Sequence, residues 1–168
     1  MVRQLGILHV AHGGELLIKS AIAQTHPLAI FTKPPKYARS GNSHLSFADL
    51  VRSARTVGYQ DLPALLEEKT GYKLPDQEMY REVGTLRNVV QHFTVPNAEY
   101  ARLVLTFLCK VADPLLARFW SVEIFREIYQ YWGEDDYYLF RDEPWFAEAL
   151  ERHGIQYSGW LPTPETVG

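Results

Sequence analysis

At 168 residues, 46% hydrophobic and 13% aromatic, the chain is long and apolar enough for one globular domain and excludes a disordered segment. A net charge of −3 excludes general attraction to nucleic acid, so a basic site must be local or assembled between subunits. The single Cys109 excludes an internal disulfide, no apolar run approaches the roughly 20 residues of a membrane helix, and His9, His12 and Glu15 stand where a signal peptide would be apolar; the expected location is cytoplasmic.

Residues 2–24 predict a long first helix that stops before His26-Pro27. Gly13-Gly14 interrupts it, and either admits a closely packed neighbour or bends the helix. Residues 33–43 read as a loop carrying Lys33, Lys36, Tyr37 and Arg39, where RNA-backbone contacts are expected if there are any. Short helices are predicted over 46–57, with Ser46 and Asp49 as a capping box, and over 63–69, closed by Gly71. Residues 76–93 form the next helix, stopped by Pro96, and 97–111 another, capped by Asn97. Asp113-Pro114 reads as an N-cap followed by proline at the first helical position, opening a helix to about Trp132. Aromatic residues crowd the chain from Phe119 onward; they serve as core or interface, or stack bases. Glu134, Asp135 and Asp136 make a solvated turn, and a last amphipathic helix covers 143–153.

No segment alternates like a strand. The expected fold is therefore all-α, an up-down bundle of four to five main helices over residues 1–132, with an aromatic-rich C-terminal extension, 133–168, packed on the same domain.

In projection at 100° per residue, Val83, Leu86, Val90 and Phe93 form one apolar stripe of the 76–93 helix, which is expected to face the core. Arg81, Thr85, Asn88 and His92 gather on the opposite side, with Arg87 adjacent to the stripe. A polar face is ordinarily just solvated. Asn88 and His92, one turn apart, can nevertheless act on a single group, while Arg87 must reach around the helix or be completed by another chain. Glu15 and Lys19 form an intrahelical pair if exposed; if buried, they can orient Arg87 or His92. His9, His12 and Glu15 recur at three-residue steps that could ligate a metal, but such ligands drift around the helix and need a fourth from elsewhere, so polar contacts are expected and no metal or cofactor is assigned. Cys109, inside an apolar run, reads as a buried structural thiol.

Arg87-Asn88-x-x-x-His92 late in a helix, Ala11-His12-Gly13-Gly14-Glu15-Leu16-Leu17-Ile18-Lys19-Ser20-Ala21 in the first helix and Ser43-His44-Leu45-Ser46-Phe47-Ala48-Asp49-Leu50 between them occur in that order. Together they resemble the HEPN family (higher eukaryotes and prokaryotes nucleotide-binding). The resemblance covers about residues 2–111 and implies a helical bundle that dimerises, with two Arg/His motifs facing each other across a two-fold cleft. It further implies a metal-independent endoribonuclease of toxin–antitoxin or anti-phage systems, with Arg87 and His92 catalytic, Asn88 assisting, and Glu15, Lys19 and Arg81 supporting them. An antitoxin or nucleotidyltransferase partner is implied as well. In one toxin branch a tyrosine two residues after the motif histidine accepts adenylylation; that position here is Thr94, which departs from the pattern. The alternative is a non-catalytic helical adaptor of the same fold that binds a nucleotide, RNA or a protein, with the aromatic C-terminal region as its seat.

Overall fold

The computed structural model describes residues 2–33, 54–92, 100–129 and 140–155, and within these the side chains of residues 2–4, 91 and 92 lie outside the description. The described chain is predominantly all-α. Helix α1 (Val2–Thr25) is followed by a small antiparallel ladder of β1 (Phe31–Lys33) and β2 (Arg55–Thr56), a 3-10 turn (Tyr59–Asp61), α2 (Leu62–Thr70) and α3 (Gln77–His92). A third stretch carries α4 (Tyr100–Phe107), a π turn (Leu108–Ala112) and α5 (Asp113–Trp120), and then come α6 (Ile124–Tyr129) and α7 (Pro144–Arg152).

Helix α1 is central and packs against α2, α3 and α4. Its inward residues Ala11, Ile18, Ala21 and Ile22 meet Leu62 and Leu66 of α2, Tyr80 and Val83 of α3, and Phe107, Val111 and Leu115 of the α4–α5 stretch in the main core. The Gly13-Gly14 pair does not break α1. A Cβ on Gly14 would lie 2.6 Å from the Phe107 ring, so the missing side chain is what lets α4 approach; a Cβ on Gly13 would meet nothing within 4 Å. Helix α3 starts where Asp76 Oδ1 accepts the Met79 N–H at 2.9 Å, and α2 ends at Gly71 in the left-handed conformation, φ 70°.

Three expectations are corrected. The 46–57 helix does not extend to its predicted end: Arg55 and Thr56 pair instead with Lys33 and Phe31, while residues 46–53 lie outside the described residues. Asp113-Pro114 opens α5 with the proline in its first turn, but Asp113 does not cap it: helical backbone already leads in from the π turn before Pro114, which accommodates a residue that supplies no N–H and crowds the preceding turn. The helix predicted from Asp113 to Trp132 breaks at Ser121, which takes φ 56° and donates its N–H to Ala117 O, and α6 begins separately.

A second core joins Cys109 of the π turn to Phe125, Phe140, Phe146, Ala149 and Leu150. Phe125, Phe140 and Phe146 are each at most 1% exposed, so these three aromatic residues build the interior and are not available to stack bases. Burial, followed by the charge of Asp113, pushes the Cys109 thiol up to about 12, which suits the structural role expected of it.

Candidate functional site

The face that α3 turns inward is rotated from the sequence projection. Tyr80, Val83 and Gly84 are buried and Leu86 only half-buried, so the inward stripe follows 80, 83, 84 and 87. The reason is Gly84. A Cβ there would lie 2.3 Å from the Tyr59 ring, so glycine lets the 3-10 turn press onto α3 at this point. Tyr59 stacks on Tyr80 with centroids 4.1 Å apart and planes 6° from parallel, and its hydroxyl donates to Tyr80 O at 3.0 Å. Arg87, one turn beyond Gly84, is thereby drawn onto the α1 side of the helix.

There its guanidinium has two neighbours. Nη1 donates to Glu15 Oε2 at 2.9 Å, and the guanidinium carbon lies 5.6 Å from the centre of the Tyr59 ring. Glu15 also accepts from Lys19 Nζ at 2.6 Å, and Lys19 donates in turn to Thr56 Oγ1 at 2.9 Å. One carboxylate therefore holds two cations drawn from two helices, and β2 anchors the outer one. The side chains remain partly open to solvent, 28% for Arg87, 13% for Lys19 and 17% for Glu15. Burial alone would raise the Glu15 carboxyl; the hydrogen bond and charge of Lys19, and then those of Arg87, outweigh it and hold Glu15 below the usual carboxylate range. The cluster keeps a positive excess, and the guanidinium N–H groups not used by Glu15 have no partner among the described residues. Such an arrangement can take a phosphate oxygen on a preset guanidinium fork.

The other predicted residues are disposed less closely. Asn88 is exposed next to Arg87. The α3 backbone reaches His92 one turn beyond Asn88, but the His92 side chain lies outside the described residues. Arg81 stays on the exposed face and donates to Gln77 Oε1 at 3.1 Å, away from the Glu15 cluster. Lys33 is exposed at the end of β1, paired with Arg55, whereas Lys36 and Arg39 lie outside the described residues. His9 and His12 are exposed, and among the described residues no group of three His, Cys, Asp or Glu side chains could hold a metal. The opposite flank of α3 borders a groove of about 420 Å³ lined by Met79, Leu86, Tyr100, Leu103 and Trp145 among others, and bridged by the Arg102–Glu143 ion pair.

Sequence reasoning missed Thr56, which belongs to a segment read as the end of a helix, and Tyr59, which follows that segment. It also missed the pairing of Asp113 with His153. Their side chains are 1% and 2% exposed, with Asp113 Oδ2 2.9 Å from His153 Nε2, so they tie elements together rather than meet a ligand. An aspartate in the apolar run that contains Cys109 and Val111 was the available signal. Compared with known proteins, the chain matches no family model, no curated protein and no solved structure.

Proposed function

We propose that this chain is a HEPN-type, metal-independent endoribonuclease that cleaves single-stranded RNA at a cleft between two copies. The observation that carries the reading is the preset guanidinium of Arg87, gripped by Glu15, set against Tyr59 and still partly open to solvent. Asn88 and the helical turn that reaches His92 follow directly along the same helix.

In the proposed reaction the substrate brings its own nucleophile. The 2′-oxygen attacks the neighbouring phosphorus, the bond to the 5′-oxygen breaks, and the products are a 2′,3′-cyclic phosphate and a 5′-hydroxyl. Arg87 binds non-bridging phosphate oxygens and steadies the charge that develops on them. His92 removes the 2′-proton or returns one to the departing 5′-oxygen, and the same residue of the second copy takes the complementary task. Asn88 holds a phosphate oxygen or orients the imidazole. Glu15 and Lys19 position Arg87 and keep the cleft cationic in an otherwise acidic chain. Lys33, Lys36 and Arg39 are assigned to the RNA backbone, and the physiological setting is a cytoplasmic toxin–antitoxin or anti-phage system with an antitoxin or nucleotidyltransferase partner.

The test is incubation of the purified protein with single-stranded RNA and with DNA of the same sequence, with and without chelator. RNA cleavage that survives chelation, leaves a 2′,3′-cyclic phosphate and is lost in Arg87→Ala and His92→Ala supports the reading. DNA should remain whole because it lacks the nucleophile. Intact RNA under every condition overturns the reading. It would favour the helical adaptor instead, for which the groove beside Tyr100 and Trp145 is the specific support: its volume lies in the range of small-ligand sites. No helix among the described residues is long and apolar enough to cross a membrane.

A further inference from the structure

The ladder of β1 and β2 sets two cations against each other. Lys33 of β1 has Arg55 of β2 as its cross-strand partner, and both are exposed. Like charges directly opposite each other weaken an antiparallel pair. A ladder of only two strands is marginal and can least bear that loss. Among the described residues, neither Lys33 nor Arg55 has a carboxylate to pair with.

A bulge produces the opposition. Phe31 pairs with Thr56, and regular pairing from there would set Lys33 against Ala54. The register instead shifts between Phe31 and Lys33, so Lys33 meets Arg55. Thr32 holds the shifted register, its hydroxyl donating to Arg55 O at 3.0 Å. Bulges re-aim side chains, and this one exchanges a neutral neighbour for one of like charge. A lysine on a free strand edge also guards against strand addition, but that task needs one charge and not two face to face. An anion shared between the two turns the opposition into a clamp.

The clamp is tied to Arg87. Thr56, next to Arg55, accepts from Lys19 Nζ; Lys19 also donates to Glu15, and Glu15 accepts from Arg87. Two cation sites joined by a continuous set of hydrogen bonds keep a constant separation. A polymer with phosphates at regular intervals can occupy both at once, which a single small anion cannot.

We infer that Lys33 and Arg55 together grip one backbone phosphate of the same RNA strand whose scissile phosphate lies at Arg87. The identity of the ligand rests on the ribonuclease reading. The clamp meets phosphate and not base edges, so it positions the strand and reads no sequence. Neither residue meets the reacting atoms.

Binding is measured apart from cleavage, by fluorescence anisotropy of a 2′-O-methyl RNA of about 12 nucleotides, which keeps the phosphates and lacks the nucleophile. In about 50 mM salt the double variant Lys33→Gln, Arg55→Gln should bind about 10-fold more weakly than wild type. The slope of log K against log salt should flatten by about 0.7, the share of one phosphate of a single strand. Lys73→Gln removes an exposed charge beyond the far end of α2 and should change neither. Arg55→Gln alone should raise the melting temperature by about 1–2 °C, because it relieves the like-charge pair. Inorganic phosphate at equal phosphorus concentration should leave the oligonucleotide bound.

Wild-type affinity and slope in the double variant overturn the inference. So does an equal loss in Lys73→Gln, which would mean diffuse attraction, or a lower melting temperature in Arg55→Gln, which would mark a structural arginine. Displacement by inorganic phosphate overturns the two-point grip. The expected loss of oligonucleotide binding, together with RNA that wild type leaves intact, overturns the ribonuclease reading and leaves the clamp standing. RNA cleavage whose KM is the same in the double variant overturns the clamp alone.

Discussion

Asp113 meets His153 at 2.9 Å in a site almost closed to solvent, although 40 residues separate them in the chain. Asp113 Oδ1 accepts the Phe125 N–H at 2.9 Å, which caps the start of α6, and Oδ2 takes the imidazole that ends α7. His153 lies against the Phe125 ring with centroids 5.1 Å apart, and its carbonyl accepts from Arg126 Nη2 at 2.6 Å. Its Nδ1 lies 3.2 Å from Glu123 Oε2, an electrostatic contact without the alignment of a hydrogen bond. One aspartate thus fastens the start of α5, α6 and α7 to one another.

Removal of either member leaves the other buried without its partner. Asp113→Ala and His153→Ala should each lower stability by about 2–4 kcal/mol, read as the urea midpoint with unchanged slope. If the pair is structural, the double variant should cost far less than the two single losses added together. Additive losses would show that the two residues act separately.

Gly84 and Gly13 should respond to alanine in opposite directions. At Gly84 the new Cβ would lie 2.3 Å from Tyr59, so Gly84→Ala must push the ring away and should cost about 1–3 kcal/mol. At Gly13 the space is open, and Gly13→Ala should stabilise dilute protein by about 0.5–1 kcal/mol through helix propensity. Thermal melts of both variants check the pair. Gly84→Ala should also weaken RNA cleavage per folded molecule, because Tyr59 helps to hold Arg87.

Glu15 supplies a pH dependence whose sign is fixed. Its carboxyl is held below the ordinary range in the folded chain, so the native state favours the ionised form. The resulting stability is present above the unfolded carboxylate pKa, near pH 4, and is lost as pH falls through the lower folded value. Asp76 is shifted the same way: burial opposes the shift, and the Lys110 hydrogen bond and then the Met79 N–H outweigh it. Wild type should exceed Glu15→Gln in stability near neutrality, and the gap should close under acid. A gap that widens on acidification would contradict the ion-pair geometry. At neutral pH the same variant should slow RNA cleavage about 10-fold, since Arg87 loses its anchor but keeps its charge.

Cys109 should be inert. Its thiol is 1% exposed and pushed up to about 12, so little thiolate forms and no reagent reaches it near neutrality. A disulfide-exchange probe should titrate one thiol only after denaturant is added. Reaction at the same rate in native and unfolded protein would refute the burial.

The sequence alone determined most of the helices, because apolar period, caps and breakers act over one or two turns. Residues 2–24, 63–69 and 143–153 correspond to α1, α2 and α7 nearly to the residue, and Gly71 ends α2 as a left-handed glycine should. Cys109 was also legible, from the apolar run around it. Tertiary structure decided what local pattern cannot encode. The inward face of α3 turned on Gly84 meeting a tyrosine 25 residues earlier, and Arg87 found its carboxylate 72 residues away on α1. The cap expected of Asp113 went to a different helix, because a buried carboxylate bonds whichever donors the packed core brings within reach. Periodicity reports that a side chain faces away from water; only the assembled core specifies what it faces.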